Sequence, residues 1–375
     1  MNCYDVIIVG GGLAGLTASL HMAMEGHSVC VFEKAHYPNH KVCGEYVSNE
    51  IVPYLHELGI FLADAAAVEI NTLLLSSLKG RSIEVPLPLG GKGISRYAFD
   101  NLLYQRAKAL GVHFEFKNVT AVAFENDRFE VQATEDDKSR SKVVIGAHGK
   151  RSVLDKNMDR KFISQNSPWI GVKAHYRLDE FPDNLVALHN FEGGYGGLSK
   201  TENGDINFCY LANYKYFKKY KDIKNFNKNI VAKNPFLSQF LEEASMVFES
   251  PLAIAQISFE PKACIENHIL MCGDAAGLIH PLCGNGMAMA IHSAKLAAEN
   301  ASLYLRAPHD TRSRMENDYR TQWHHHFNHR MLMGRRLQKL LLHPTLSQIA
   351  MATVAQSTWL LQKIVGQTHG KPILC

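Results

Sequence analysis

The chain has 375 residues, 46% of them hydrophobic, and its 40 basic and 36 acidic residues give a formal net charge of +4. This length and composition are typical of one large or two closely joined globular domains, and they exclude a disordered chain. No long basic run is interleaved with aromatic residues, which argues against nucleic acid as a partner. The 8 cysteines have no C-x-x-C spacing, so the sequence predicts reduced thiols and no metal site.

The chain begins with a pattern that predicts a strand at residues 6–9, a glycine turn, a helix and a second strand at 28–32. Gly10, Gly12 and Gly15 form a G-x-G-x-x-G motif. Its glycines allow a tight turn, close approach of a pyrophosphate and close helix packing. Glu33 follows the second strand, where a carboxylate accepts hydrogen bonds from an unphosphorylated ribose. The pattern favours a dinucleotide site over an ordinary βαβ turn.

The next segment combines a loop with a cysteine. Pro38 and Asn39 indicate the loop, Cys43 and Gly44 follow, and a helix is predicted at about 48–58. Cys43 is either exposed beside a bound ring or a small buried thiol, and the residues leave both interpretations open.

The middle of the chain predicts strands at 68–77 and 82–85, a helix at about 97–110, and short strands up to residue 145. Arg96 precedes that helix and is either a ligand for a phosphate or ribityl group or a surface arginine. Residues 169–210 predict successive strands without helices between them, which indicates an antiparallel sheet. Such a sheet is a plausible wall for a substrate cavity.

A second glycine segment lies near residue 280. A strand is predicted at 268–272, followed by Gly273 and Asp274, and a long helix begins at about Gly284 to Met287. Glycines at a helix N-terminus favour an electron-rich ligand group; the alternative is a second turn that binds nothing. Helices are predicted from about residue 315 onwards, with a final amphipathic one at about 347–364.

Several of these stretches together resemble a known family. VIIVGGGLAGL with Glu33, ISRYAFDNLL, IGAHGKRS and CGDAAGLIHPLCGNGMAMAIHSAKLA resemble the FAD-binding signatures of p-hydroxybenzoate-hydroxylase-like (group 2) flavoproteins. KVCGEYVS with GDAAGLIHPLCGNGM is most similar to the geranylgeranyl reductase branch. The resemblance spans about residues 4–340.

The resemblance implies an α/β fold: a Rossmann-like FAD-binding fold with an inserted antiparallel β-sheet substrate domain and a helical C-terminus. The FAD-binding domain is predicted at 1–75, 95–160 and 262–310. The substrate domain is predicted at 76–94 and 161–261, and the C-terminal helices at 311–375.

The resemblance also implies an extended FAD and assigns residues to each part of it. The pyrophosphate is expected on the first glycine turn, the adenosine near Glu33 and Val119, the ribityl chain near Asp274, and the isoalloxazine edge at the second glycine motif. The cofactor-binding residues expected are Gly10, Gly12, Leu13, Ala14, Gly15, Glu33, Lys34, Arg96, Val119, Gly273, Asp274, Gly284, Asn285, Gly286 and Met287.

One residue departs from the family pattern. The family usually has Ala-Asp-Gly where this chain has Ala147, His148 and Gly149. That aspartate is tied to FAD and pyridine nucleotide in the family, so the histidine leaves the electron donor open. NAD(P)H bound differently, or a separate reductase or ferredoxin, are the alternatives.

Two enzymatic reactions fit the resemblance, both on a hydrophobic isoprenoid, polyketide or aromatic molecule. In the favoured one, reduced flavin gives hydride to a double bond and a nearby acid adds the proton. Cys43 is the first candidate, and Glu45 and His280 are further ones; a salt bridge or cap for Glu45 and a plain loop position for His280 are the alternatives. The second reaction is monooxygenation through a C4a-hydroperoxyflavin.

Two further functions are less favoured. A flavin-dependent halogenase is disfavoured because no W-x-W-x-I-P stretch is present, and a non-catalytic FAD protein is the last alternative. No secretory leader pattern precedes the first strand, so a cytoplasmic protein is predicted. The final amphipathic helix makes peripheral membrane contact conceivable, and the oligomeric state is left open.

Overall fold

A computed structural model of the protein describes residues 2–134, 137–220, 222–280, 284–307, 311–342 and 370–373. The final helix predicted at 347–364 lies outside these residues. The strands are β1 Asn2–Val9, β2 Val29–Phe32, β3 Tyr46–Ser48, β4 Val68–Ser76, β5 Ser82–Gly93, β6 His113–Glu115, β7 Ala121–Glu125, β8 Arg128–Thr134, β9 Asp137–Gly146, β10 Trp169–Arg177, β11 Leu185–Phe191, β12 Gly194–Lys200, β13 Ile206–Asn213, β14 Ser245–Met246, β15 Leu252–Ala255, β16 Ile265–Glu266 and β17 Ile269–Met271. The helices are α1 Leu13–Met24, α2 Val52–Glu57, α3 Arg96–Ala109, α4 Val153–Asn157, α5 Tyr214–Phe217, α6 Ile223–Asn229, α7 Pro235–Glu243, α8 Gly286–Arg306 and α9 Arg312–Leu342.

The first sheet has the strand order β16-β17-β9-β1-β2-β6, and the β7–β8 hairpin joins it through β9. β1 pairs in parallel with both β2 and β9, so the predicted opening βαβ unit is confirmed. Helices α1, α3, α8 and α9 share one hydrophobic core with this sheet. Because both faces are covered, the run from Val6 to Val9 is apolar without alternation.

The second sheet has the order β14-β10-β13-β12-β11-β4-β5-β3, and β15 pairs with the same edge of β10 as β14 does. The strands predicted at 169–210 pair antiparallel with one another, as predicted. β4 pairs in parallel with β11, so the sheet as a whole is mixed. β3 and nearly all of β4 lie in ranges predicted for the FAD-binding domain. Alternation of apolar and polar residues indicates a strand but not which strand it pairs with. The domain limits stay a prediction.

The two faces of β10 have different neighbours. Ile170, Val172, Ala174 and Tyr176 share a core with residues of α6 and α7. The residues between them, on the opposite face, lie against the loop that connects β2 to β3: a Cβ on Gly171 would be 3.3 Å from Val42. This loop therefore lies between the two sheets.

Two segments outside the sheets differ from the prediction or add to it: the helix predicted at 48–58 and residues 370–373. The helix predicted at 48–58 begins only at Val52, after β3 and a short 3₁₀ turn. The segment 370–373 returns to that turn, where the backbone N–H of Ile373 donates to the carbonyl oxygen of Glu50 at 2.8 Å. Among the described residues, no helix combines the length and the apolar character needed to cross a membrane.

Candidate functional site

Gly10, in the turn between β1 and α1, and Gly15, in α1 itself, have no room for a side chain. Gly10 has a φ of +105°, and a Cβ there would overlap the carbonyl oxygen of Ala147. A Cβ on Gly15 would overlap the carbonyl oxygen of Gly10, so α1 packs directly against the turn. Gly12 precedes α1 without a side-chain cap. The N–H groups of the first helical turn, which Leu13 begins, therefore remain available to an anion.

Two cations face this end of α1. A Cβ on Gly12 would lie 3.6 Å from Arg96 Nη2 and 4.0 Å from Lys41 Nζ. Both cations pair with the buried Asp100: Arg96 binds its two oxygens at 2.7 Å each, and Lys41 lies 3.1 Å from Oδ2. Because one carboxylate neutralises one cation, a net positive charge remains beside the helix N-terminus. This charge and the helix dipole suit the pyrophosphate of a dinucleotide.

Glu33 stands directly after β2, as predicted. Its Oε2 accepts a hydrogen bond of 2.7 Å from the backbone N–H of Gly11, and free lone pairs remain on the carboxylate for a ribose hydroxyl. A cavity of about 490 Å³ adjoins it, lined also by Lys34, Val119 and His148. The structure thus brings together at one cavity the residues predicted for the adenosine end.

The second glycine segment lies on the first turn of α1. Gly273 has a φ of +58°, and a Cβ there would lie 3.0 Å from Ala14 Cβ. Its backbone N–H donates to Ser293 Oγ in α8 at 2.8 Å. Asp274 follows, and its carbonyl oxygen accepts a hydrogen bond of 2.8 Å from Lys262 Nζ. The two glycine motifs, far apart in the sequence, are therefore neighbours.

The N-terminus of α8 is the last predicted contact of the cofactor. Gly284 has a φ of +63°, and Gly286 is the first residue of the helix. Asn285 and Met287 beside it are buried. Pro281 and the two residues after it lie outside the described part of the chain. The contact of this stretch with an isoalloxazine ring stays a prediction.

Cys43 is half-buried in the loop between β2 and β3, at the junction of the two sheets. Its carbonyl oxygen accepts a hydrogen bond of 3.2 Å from Asn207 Nδ2 on β13. Burial lowers the pKa of the Arg96 guanidinium, but Asp100 and, to a smaller extent, Cys43 raise that pKa above its usual range. The thiol of Cys43 therefore interacts with the guanidinium of Arg96, a permanent cation.

Glu45 was predicted as a candidate proton donor, and its surroundings speak against that role. Its Oε1 accepts from Lys173 Nζ and, at 2.7 Å, from the backbone N–H of Arg96; its Oε2 accepts from His175 Nε2 at 2.7 Å. Burial acts to raise the pKa of Glu45, but the hydrogen bond of His175 and the charge of Lys173 hold it below the usual range. A carboxylate kept ionised has no proton to give. The salt bridge expected as the alternative is present, and a catalytic role for Glu45 stays a prediction.

His40 completes a cluster around this ion pair. The possible ligand atoms of His40, Glu45 and His175 all lie within 4.8 Å of one another. Such a set can hold a metal ion, but the ammonium of Lys173 already supplies a cation to Glu45. A metal ion at this site would be repelled by the positive charge of that lysine.

His280, the third candidate acid, is enclosed by aromatic rings. Its ring centroid is 4.7 Å from that of Phe259, 5.8 Å from that of Tyr195 and 6.4 Å from that of Trp169. Burial lowers the pKa of His280 to about 3. The imidazole is therefore neutral at neutral pH, which speaks against a role as proton donor. It contributes a polar edge to an otherwise apolar cluster.

Sequence reasoning missed Lys41, Asp100 and Lys173. Asp100 follows Arg96 by one helical turn, so an i,i+4 ion pair was a signal that could have found it. Lys173 and His175 alternate within a strand whose other residues are almost all apolar and buried. Charged residues with this period in a buried strand indicate a polar partner on the opposite side.

The fold and the two glycine motifs define a class of protein, the FAD-dependent oxidoreductases. The chain belongs to the FAD binding domain family FAD_binding_3, whose family model matches residues 3–311. The predicted resemblance to p-hydroxybenzoate-hydroxylase-like flavoproteins is thereby confirmed.

Relatives within this class have different reactions. The chain is 25% identical to menaquinone reductase from Mycobacterium tuberculosis over 317 residues, which cover 79% of this chain and 76% of the relative. The solved flavin-dependent brominase Bmp2 superposes with a TM-score of 0.80 at 18% identity, covering 98% of this chain and 93% of that one. A geranylgeranyl bacteriochlorophyll reductase-like protein from Thermoplasma acidophilum gives 0.77 at 20% identity, covering 98% and 96%. At these identities the solved structures show the fold alone.

Proposed function

We propose that the protein uses FAD to reduce a double bond in a hydrophobic small molecule of the isoprenoid type. The observation that carries this proposal is the position of Cys43. It lies between Arg96, one of the two cations at the N-terminus of α1, and strand β13 of the second sheet. A thiol next to Arg96 is suited to exchange a proton with a substrate carbon. Membership of the FAD binding domain family indicates FAD as the cofactor. When bound, FAD provides the hydride.

The residues present fit that cofactor in the extended pose. Gly12 to Gly15 with Arg96 and Lys41 would hold the pyrophosphate, and Glu33 the adenosine ribose. Asp274 would accept a hydrogen bond from the ribityl chain. Gly284 to Met287 would border the ring system.

The ion cluster of Glu45, Lys173 and His175 has a positioning role in this proposal. Glu45 lies two residues after Cys43 and also binds the backbone N–H of Arg96. It therefore fixes three segments relative to one another: the thiol loop, which is the loop between β2 and β3 that carries Cys43, the start of α3, and strand β10. A loop held in this way keeps the thiol in a constant position while substrate enters and leaves.

The substrate is expected to be apolar because the group of buried residues around His280 is apolar. Its members are Trp169, Tyr195, Leu211, Ile257, Phe259 and Leu278. A relative named menaquinone reductase supports a hydrophobic substrate with an unsaturated chain or ring. NAD(P)H or a separate reductase is proposed as the electron donor.

Oxygen chemistry, as in a monooxygenase or a halogenase, is the second candidate function. The observation that favours it is the likeness of the fold to a flavin-dependent brominase, together with the enclosed apolar surroundings of His280, which exclude water. No particular side chain is needed to bind O₂, so the same site is compatible with both reactions.

The two reactions are distinguished by mixing the reduced FAD-loaded protein with substrate in the absence of oxygen. We expect a polyprenyl substrate, such as a geranylgeranyl lipid, to reoxidise the flavin and to gain two hydrogens, as measured by absorbance and product mass. Cys43→Ala is expected to slow this step at least about 100-fold, the lower end of the usual contribution of a general acid. Reoxidation by oxygen should be unchanged in this variant. A product that contains a new oxygen or halogen atom, and no anaerobic reoxidation, would reject the reductase.

A further inference from the structure

His148 lies two residues after the end of β9, where the family resemblance implied an aspartate. Its side chain is 6% exposed, and its Nε2 lies 3.1 Å from Asp155 Oδ1. The turn that carries it packs against the first glycine motif, since a Cβ on Gly10 would lie 2.8 Å from His148 Cα. The histidine is therefore part of the wall behind the dinucleotide turn.

Asp155 determines which nitrogen of His148 carries the proton. Asp155 is fully buried and accepts hydrogen bonds of 2.8 Å from Arg160 Nη1 and from the backbone N–H of Ser152. Burial acts to raise its pKa, but the hydrogen bonds and charges of His148 and Arg160 keep that pKa below its usual range. An ionised carboxylate only accepts, so Nε2 of His148 must donate. The other ring nitrogen, Nδ1, takes no part in this contact.

The Nδ1 atom of His148 is buried and has no hydrogen-bond partner. His148 lines the cavity of about 490 Å³ next to Glu33. Among the described residues that line this cavity, it is the one with a buried side-chain polar atom that lacks a partner. A buried acceptor without a donor is unfavourable, so a ligand in the cavity that supplies a donor gains free energy there.

We propose that Nδ1 of His148 accepts a hydrogen bond from a hydroxyl or amino group on the adenosine half of FAD. This inference rests on the proposed FAD site. An aspartate here would place a second carboxylate at the cavity beside Glu33. The histidine offers an acceptor without adding that charge, so no further carboxylate offsets the positive charges of Lys34, Arg151 and Lys156 at the same cavity.

Two substitutions separate the functions of the two ring nitrogens. In His148→Asn the amide lies near the position of Nδ1 and can still accept, while the contact with Asp155 is lost. In His148→Gln the amide reaches the position of Nε2 and keeps the contact with Asp155, while the acceptor at Nδ1 is lost. The affinity of the apoprotein for FAD is measured by flavin fluorescence, with FMN as the control ligand that lacks adenosine. The thermal unfolding midpoint of each apoprotein checks the fold.

We expect His148→Gln to bind FAD roughly tenfold more weakly, the effect of losing one buried hydrogen bond, while His148→Asn stays within about threefold of the native protein. FMN affinity should not distinguish the three proteins. Native FAD affinity in His148→Gln, or equal weakening in both variants, would overturn the inference and leave His148 as a structural partner of Asp155. Failure of the native protein itself to bind FAD would instead reject the proposed FAD site.

Discussion

Glu45 is a fully buried carboxylate with a φ of +54°, and both features are unfavourable in isolation. The left-handed conformation costs a residue with a Cβ roughly 1 to 2 kcal/mol. Burial of the charge is acceptable because Lys173, His175 and the backbone N–H of Arg96 all donate to it. Strain that is held in place by several partners is typical of functional sites. Here these contacts of Glu45 fix the loop that carries Cys43.

Neutralising Glu45 should therefore destabilise the protein strongly. In Glu45→Gln the buried ammonium of Lys173 loses its counter-charge, and we expect the free energy of unfolding to fall by about 3 to 5 kcal/mol. The matched control is Glu69→Gln, which removes the partner of Lys92 from a side chain that is 70% exposed. That control should change the free energy by less than about 1 kcal/mol. Denaturant titration measures both, and equal effects would contradict the role given to the cluster.

The same group should make stability depend on acid. The pKa of Glu45 in the folded protein lies below its ordinary value of 4.5. As the pH falls below that value, the unfolded chain binds a proton at Glu45 before the folded protein does, so the free energy of unfolding decreases. We expect this decrease to be less steep in Glu45→Gln than in the native protein, compared by denaturant titration at several pH values. Identical slopes would show that Glu45 is not held ionised.

At the scale of elements, the glycine turn and helix α1 form a cradle whose residues have separable tasks. Gly15 meets the carbonyl oxygen of Gly10 and leaves no space for a methyl group. Gly12 has an ordinary extended conformation, and the nearest atom to a Cβ there is 3.6 Å away. Gly15 therefore allows the helix to pack closely, and Gly12 leaves space for a ligand.

Alanine substitutions should separate these tasks. Gly15→Ala is expected to lower the stability of the apoprotein, because α1 must move away from the turn. Gly12→Ala should leave the apoprotein as stable as the native one but bind FAD at least about tenfold more weakly, since its methyl group enters the space of the pyrophosphate. Thermal unfolding and FAD titration of both variants are the measurements. Native FAD affinity in Gly12→Ala would place the pyrophosphate elsewhere.

Local patterns predicted most elements around this cradle. The glycine spacing, the apolar run of β1 and the position of Glu33 together predicted the βαβ unit, because each is decided by residues close in sequence. The pattern did not predict that β4 pairs in parallel with β11, or that β3 joins the second sheet. Strand pairing depends on contacts between distant segments, about which alternation carries no information.

At the scale of the whole molecule, the candidate site forms where the two sheets meet. Glu45 and Lys173 are 128 positions apart in the chain, yet they are in contact. The alternation of Lys173 and His175 in an apolar strand indicates a polar partner, but it does not say that the partner is Glu45, which is distant in the sequence. The cofactor half of the site was predictable since its motifs are contiguous. The substrate half depends on the packing of the thiol loop against β10 and β13.

We propose that one FAD extends from the cavity at Glu33 across both glycine motifs. The direct measurement is equilibrium titration of the apoprotein with FAD and, separately, with FMN. We expect one FAD per chain and an affinity for FMN at least roughly 100-fold weaker, since FMN lacks the adenosine half and its charge-assisted hydrogen bonds. Equal affinities for FAD and FMN, or no uptake of either flavin, would contradict the claim.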